Sequence, residues 1–81
     1  MKIREATCKR IRQLCTQKSM TEYMLIYKSG IPPSTFKSIM NGQSKNPGIA
    51  NIKRIADGFN MSIREFYDSD IFDNLEQEDE D

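Results

Sequence analysis

The stretch Lys28–Gly42, "KSGIPPSTFKSIMNG", decides how this chain is read. Two prolines follow a Gly-Ile pair, and an apolar series follows them. Inside a helix a proline breaks the structure, because it lacks an N–H and its ring clashes with the preceding turn. At a helix start neither penalty applies: that N–H has no partner there and φ is already helical. Pro32 and Pro33 therefore read as the N-cap and first residue of a short helix. Phe36, Ile39 and Met40 give it an inward stripe at helical spacing, with Ile31 packing inward just ahead. Asn41-Gly42 stops it. The outward face is then Pro33, Ser34, Lys37, Ser38 and Asn41, which is polar and carries one cation and no acid.

Upstream, "MTEYMLIYKSG" predicts a helix of about eight residues. Thr21 is a good N-cap, Glu22 suits the positive end of the helix dipole, and Gly30 suits a left-handed C-terminal turn. Two helices joined by so short a turn cross steeply. Leu25 and Ile26 from the first meet Phe36 and Ile39 from the second at that crossing. The second helix then projects its polar face outward, and a helix of that width fits the DNA major groove.

The rest of the chain reads as three more helices. Residues Ile3 to Lys18 carry a stripe of Ile3, Thr7, Cys8, Ile11, Leu14 and Cys15, with Lys9, Arg10, Arg12 and Gln13 filling the other face. "QSKNPG" is a polar loop. "IANIKRIADGFNM" repeats the stripe with Ile49, Ile52, Ile55 and Ala56 as core, ending at Gly58. Ser62 and Glu65 form a capping box before a last helix, whose inward candidates are Ile63, Phe66 and Tyr67. No alternating strand pattern competes. In "DSDIFDNLEQEDED", Ile71, Phe72 and Leu75 are spaced for one apolar turn, and disorder is expected beyond Leu75.

The net charge of zero hides an asymmetry. All 12 Lys and Arg lie between Lys2 and Arg64, and only Glu5, Glu22, Asp57 and Glu65 oppose them through Tyr67, which leaves +8. Asp68 to Asp81 holds eight acids and no base, hence −8. A basic domain calls for a polyanionic partner, and an acidic end reads as a solvated or regulatory appendage. The charged N-terminus has no apolar segment behind it, and no run approaches the roughly 18 residues that span a membrane. A cytoplasmic protein with no membrane partner is expected. Cys8 and Cys15, on one helix face about 10 Å apart, are too distant for a disulfide and read as small core thiols in a reducing compartment.

Enzyme signatures are missing. The chain has no histidine, so no Ser-His or Cys-His nucleophile pair can form, and two cysteines alone make no ordinary zinc site. There is no phosphate-cradling glycine loop, and the acidic end lacks the EF-hand spacing. The reading is a non-enzyme with no cofactor, no metal and no small-molecule ligand.

Glu22 to Asn41 resembles the twenty-residue helix-turn-helix of the Cro/C1 repressor type, the Xre family. That pattern wants an apolar residue fourth, a small one fifth, Gly ninth, Val or Ile tenth, and apolar residues fifteenth and eighteenth. Leu25, Ile26, Gly30, Ile31, Phe36 and Ile39 stand there. The following "NGQSKNPGIANIKRIADGFNMSIREFY" is similar to the family's downstream segment. The likeness covers about Ile11 to Tyr67. It implies an all-α, compact five-helix, lambda-repressor-like domain over residues 1–69, with the helix-turn-helix at 22–41 and a partly disordered acidic tail at 70–81. Two positions depart from the pattern. Ile26 replaces the usual Ala, and Glu22 stands where Gln often contacts phosphate.

What the resemblance implies about function is a transcriptional regulator of the repressor kind, bound to double-stranded DNA. Pro33, Ser34, Thr35, Lys37, Ser38 and Asn41 would face the groove, with Lys37 suited to guanine and Asn41 to adenine. Thr21, Gln43, Ser44, Lys45 and Asn46 would touch phosphate, which positions the protein rather than specifying sequence. The free N–H groups of the helix after Pro47 add a further phosphate site. A homodimer would double the few base pairs one short helix can read. Tyr23, Met24 and Tyr27 form an apolar patch where the family often carries polar residues, which marks a contact with another protein surface or a cover by the Ile71-Phe72-Leu75 turn. That patch and the tail favour the alternative, an antitoxin-like or adaptor module on the same fold. The −8 tail also raises the expectation that it competes with phosphates for the basic face.

Overall fold

The computed structural model describes residues 1–43 and 47–77. Five helices form in the order α1 (Ile3–Gln17), α2 (Glu22–Ser29), α3 (Pro33–Met40), α4 (Ile49–Gly58) and α5 (Ile63–Phe66), and a 3-10 turn follows at Asp70–Phe72. Among the described residues there is no strand, only an isolated bridge between Lys2 and Glu76. The all-α five-helix architecture expected from the sequence is the one that forms. Its Cα radius of gyration is 12.0 Å, close to the value of about 12 Å for a globule of this length.

The helix ends follow from local chemistry. Thr21 Oγ1 accepts from the Met24 N–H at 3.1 Å, the expected N-cap of α2. Pro32 is the N-cap of α3 and Pro33 its first residue. Gly30 closes α2 with φ 70° and donates its N–H to Ile26 O at 3.1 Å. A Cβ there would meet nothing within 4 Å, so only the left-handed backbone demands glycine. Three other helices end in one shared motif, in which the residue after the C-cap is left-handed and the next N–H reaches back to a carbonyl in the last turn. The pairs are Met20 N to Cys15 O at 2.9 Å, Gln43 N to Ser38 O at 3.1 Å and Met61 N to Ala56 O at 3.0 Å. The left-handed residues are Ser19, Gly42 and Asn60, with φ 52°, 78° and 59°.

The core joins Ile11, Leu14 and Cys15 of α1 to Leu25, Ile31, Phe36 and Ile39 of the helix-turn-helix, and to Ile52, Ile55, Ala56, Phe59 and Phe66 beyond it. Thr7 is also buried, its hydroxyl donating to Ile3 O at 2.8 Å. Phe66, Tyr67 and Phe72 pack ring against ring, with Phe66–Tyr67 and Tyr67–Phe72 edge to face at centroid distances of 5.0 and 4.9 Å. This trio fastens the 3-10 turn to the end of α5, the apolar turn expected at Ile71-Phe72.

Several expectations are corrected. Ile49, expected in the core, is 62% exposed, because it is the first residue of α4 and the stripe becomes buried only from Ile52. Arg10, expected on the solvated face, is buried, and it binds carbonyls at the end of α5. α4 ends at Gly58 as expected, and the left-handed residue that turns the chain after it is Asn60. A Cβ at Gly58 would sit 3.0 Å from Leu25 Cδ1 and 3.2 Å from Ser29 Cα, so its bare backbone lets α2 close onto α4. Glu76, expected in disordered chain, is tied down: its N–H donates to Met1 O and its carboxylate pairs with the Met1 amino group, both at 3.0 Å. The remaining acidic residues of that expectation, 78–81, lie outside the described residues.

Candidate nucleic-acid interface

α3 is held by one side and offered by the other. Phe36 and Ile39 are buried in the core, while Pro33, Ser34, Lys37 and Asn41 are exposed, and Thr35 and Ser38 are half-buried at the edge. The two prolines also thin out the helix start. Phe36 N donates to Pro32 O at 3.0 Å, which closes the first rung, so the amides ahead of it belong to Ser34 and Thr35 alone. A phosphate or base edge approaching this end meets two N–H groups instead of the usual four.

At the other end, Asn41 Oδ1 accepts from the Gln43 N–H at 3.2 Å. The acceptor half of this amide is occupied by its own turn, and the NH₂ half is left to donate outward. Thr21 is placed similarly. Its oxygen accepts from Met24 N, while its proton is still available to an anion. Gln43 is exposed beside the end of α3. The expected contacts Ser44, Lys45 and Asn46 lie outside the described residues. Gly48 caps α4 without a side-chain bond, so the amides of Ile49 and Ala50 precede its first rungs, Asn51 N and Ile52 N to Gly48 O at 3.0 and 3.1 Å. Tyr23 and Tyr27 are 80% and 83% exposed and Met24 41%, so the apolar patch on α2 is uncovered in the single chain.

Together these features form a helix-turn-helix whose second helix is anchored by apolar residues and presents a polar, acid-free face. Comparison with family models gives the same reading. The model of the Cro/C1-type HTH DNA-binding domain matches residues 10–69. The chain belongs to that family. No curated protein and no solved structure matches it. As a Cro/C1-type domain it is a DNA-binding domain, with DNA as its partner. No helix among the described residues is long and apolar enough to cross a membrane.

Within the Cro/C1-type frame, Ile26 at the usual Ala position is half-buried and packed against the core. α2 also comes close to α4 at Gly58, under Leu25 and Ser29. Sequence reasoning missed the role of α1 beside α3. Arg4, Cys8 and Arg12 lie one turn apart on one face of α1, and all three reach carbonyls at the end of α3. Cys8 Sγ donates to Ile39 O at 2.8 Å, Arg12 Nη2 to Met40 O at 3.4 Å and Arg4 Nη1 to Gly42 O at 3.5 Å. The i, i+4, i+8 spacing of these residues was legible, but their target needs the tertiary fold. Burial pushes the Cys8 thiol up, the charge of Arg12 pulls it part of the way back, and Glu22 raises it further. Cys15 is likewise raised, by burial and then by Glu22. Both thiols are free, buried and held in the neutral, unreactive form.

Proposed function

We propose that this chain is a sequence-specific transcriptional regulator that acts as a repressor, reading the major groove with α3 from Pro33 onward. The observation that supports this most is the two-sided character of α3. Phe36 and Ile39 fix the helix while Ser34, Lys37, Ser38 and Asn41 stand on a face without an acid. Lys37 is the strongest single reader, since an ammonium on this face can donate to guanine O6 and N7. Thr21 and Gln43, at the start of α2 and just beyond α3, would grip phosphates on either side. A cytoplasmic homodimer on a palindromic operator suits a reading helix of only eight residues.

Selection of bound sequences from a random duplex pool supplies the operator. On that operator, Lys37→Ala is expected to weaken binding by about 1–3 kcal/mol and to relax preference at one base pair. If the variant matches the unsubstituted chain on both operator and random DNA, Lys37 is no reader.

The exposure of Tyr23, Met24 and Tyr27 favours a second reading, a protein-interaction module of the antitoxin or adaptor kind on the same fold. Salt separates the two. Binding through phosphates falls steeply with ionic strength, and binding through an aromatic patch does not.

A further inference from the structure

The fold buries one charge without neutralising it. Arg10 is tied to carbonyls alone: Nε donates to Phe66 O at 2.6 Å, and Nη2 to Glu65 O at 2.9 Å and Asp68 O at 3.4 Å. Among the described residues no carboxylate pairs with it, and its remaining nitrogen, Nη1, makes no hydrogen bond. The Glu65 carboxylate is occupied by the Ser62 N–H at 2.9 Å. Carbonyl dipoles offset only part of the cost of taking a guanidinium out of water, and buried charges ordinarily have a counter-charge.

Arg10 lines a groove of about 670 Å3. Lys9, Arg12, Gln13, Thr16 and Gln17 line it from one face of α1, and Ser69 lines it from the chain after α5. None of these is an acid, and each brings a donor. Lys9 is exposed and has no partner among the described residues. Arg12 uses one N–H of five on Met40 O at 3.4 Å. Ser69 Oγ accepts from Ile71 N at 3.4 Å, which leaves its proton to donate. The volume is that of a small-molecule site, but no aromatic or aliphatic side chain lines it, so a nucleobase has nothing to stack on. Arg10 is only 9% exposed. A duplex backbone is met by side chains that protrude, whereas a recessed guanidinium is reached by a small oxyanion, whose geometry its fork matches.

We propose that this groove binds a small phosphate monoester with a polar, non-aromatic body, its phosphate held by Arg10 Nη1, Lys9 and Arg12. The amides of Gln13 and Gln17 and the hydroxyls of Thr16 and Ser69 are left for the hydroxyls of that body. Arg10 also joins α1 to the end of α5, so a ligand on it stabilises the folded chain. The site does not depend on the DNA-binding reading above.

The competing explanation is structural: Arg10 only fastens α1 to α5. The full chain is melted in inorganic phosphate, in ribose 5-phosphate and in ribose, each against sodium chloride of matched ionic strength. A ligand at ten times its dissociation constant lowers the unfolding constant about 11-fold. The melting temperature is expected to rise with both phosphates, at lower concentration with ribose 5-phosphate, and not with ribose. Arg10→Gln would lose the α5 tie together with the site, so the deciding variant is Lys9→Glu, at an exposed position. It is expected to fold in chloride and to lose the shift with either phosphate. No shift beyond chloride in the unsubstituted chain overturns the proposal, and so does a shift that Lys9→Glu retains in full. Ribose 5-phosphate acting no more tightly than inorganic phosphate overturns the polar body. If neither phosphate shifts the melting temperature while Lys9→Glu makes the salt slope of duplex binding shallower by about 0.9 or more, the groove serves the DNA backbone and the small-ligand reading fails.

Discussion

At the scale of single residues, the decisive positions are those where one atom more or less changes what packs. Gly58 is the clearest. Two effects oppose each other when a methyl group is added there. Alanine favours a helix over glycine by about 1 kcal/mol, whereas overpacking a closed contact costs about 1–3 kcal/mol. The new methyl would lie 3.1 Å from Ser29 Cβ and 3.2 Å from Ser29 Cα, and a backbone neighbour cannot rotate aside. The overpacking therefore wins. Gly58→Ala is expected to destabilise the fold by about 1 kcal/mol net, read as a fall in melting temperature of about 4–8 °C. A variant that melts at or above the original temperature would show that α2 can retreat from α4 freely. Arg10 makes the same point by charge. Its guanidinium is buried yet not orphaned, because Nε donates to Phe66 O at 2.6 Å and Nη2 to Glu65 O at 2.9 Å.

At the scale of elements, α5 shows how a helix too short to stand alone is kept. Four residues do not repay the cost of helix nucleation, so its ends must be fixed from outside the ladder. The start carries a reciprocal box: Glu65 N donates to Ser62 Oγ at 3.0 Å, and Ser62 N to Glu65 Oε1 at 2.9 Å. The end is held by Arg10. The bonds from the Ser62 backbone and then its side chain hold the Glu65 carboxyl below its usual value of 4.5. A carboxyl whose folded pKa is depressed adds stability above its unfolded pKa and loses it as pH falls through the folded value. Glu65→Gln keeps an acceptor but cannot titrate. Between about pH 5 and pH 3 the unsubstituted chain is therefore expected to lose stability more steeply than Glu65→Gln, checked by urea unfolding across that range. Parallel curves would remove Glu65 from the acid response.

At the scale of the whole molecule, charge is segregated and the fold brings its ends together. The eight acids after Tyr67 offset the +8 of the preceding residues, and Glu76 is joined to Met1 beside the start of α1. From there four further acids, Glu78 to Asp81, follow in sequence, a length of at most about 14 Å when extended. Arg4 stands in the first turn of α1, two residues after the Lys2 that bridges to Glu76. Deleting Glu78–Asp81 leaves Glu76 and its pairing intact. The deletion is expected to tighten binding to random DNA at low salt, with the gain vanishing as the Debye length falls from about 10 Å at 0.1 M to about 3 Å at 1 M. Equal binding at every salt concentration would end the idea that the tail competes with phosphate.

The sequence by itself determined the elements and the reading helix. Local chemistry is enough for that: prolines at a helix start, Thr21 and Ser62 as caps, Gly30 in a left-handed turn, and apolar residues recurring at the helical period. It also predicted which face of α3 is polar, since Phe36 and Ile39 fix the opposite side. Only the tertiary structure decided the rest, because those answers depend on what a second helix brings near. Ile49 continues its stripe in sequence but is largely exposed, since it opens α4 ahead of the buried Ile52. Gly58 reads as the end of α4, which it is, but the fold also makes it a contact surface for α2. Arg10, Arg4 and Arg12 look alike on paper. The fold buries the first against the end of α5 and sets the other two beside the end of α3. A period fixes which side of a helix is apolar; it carries no information about which carbonyls a long cationic side chain will find.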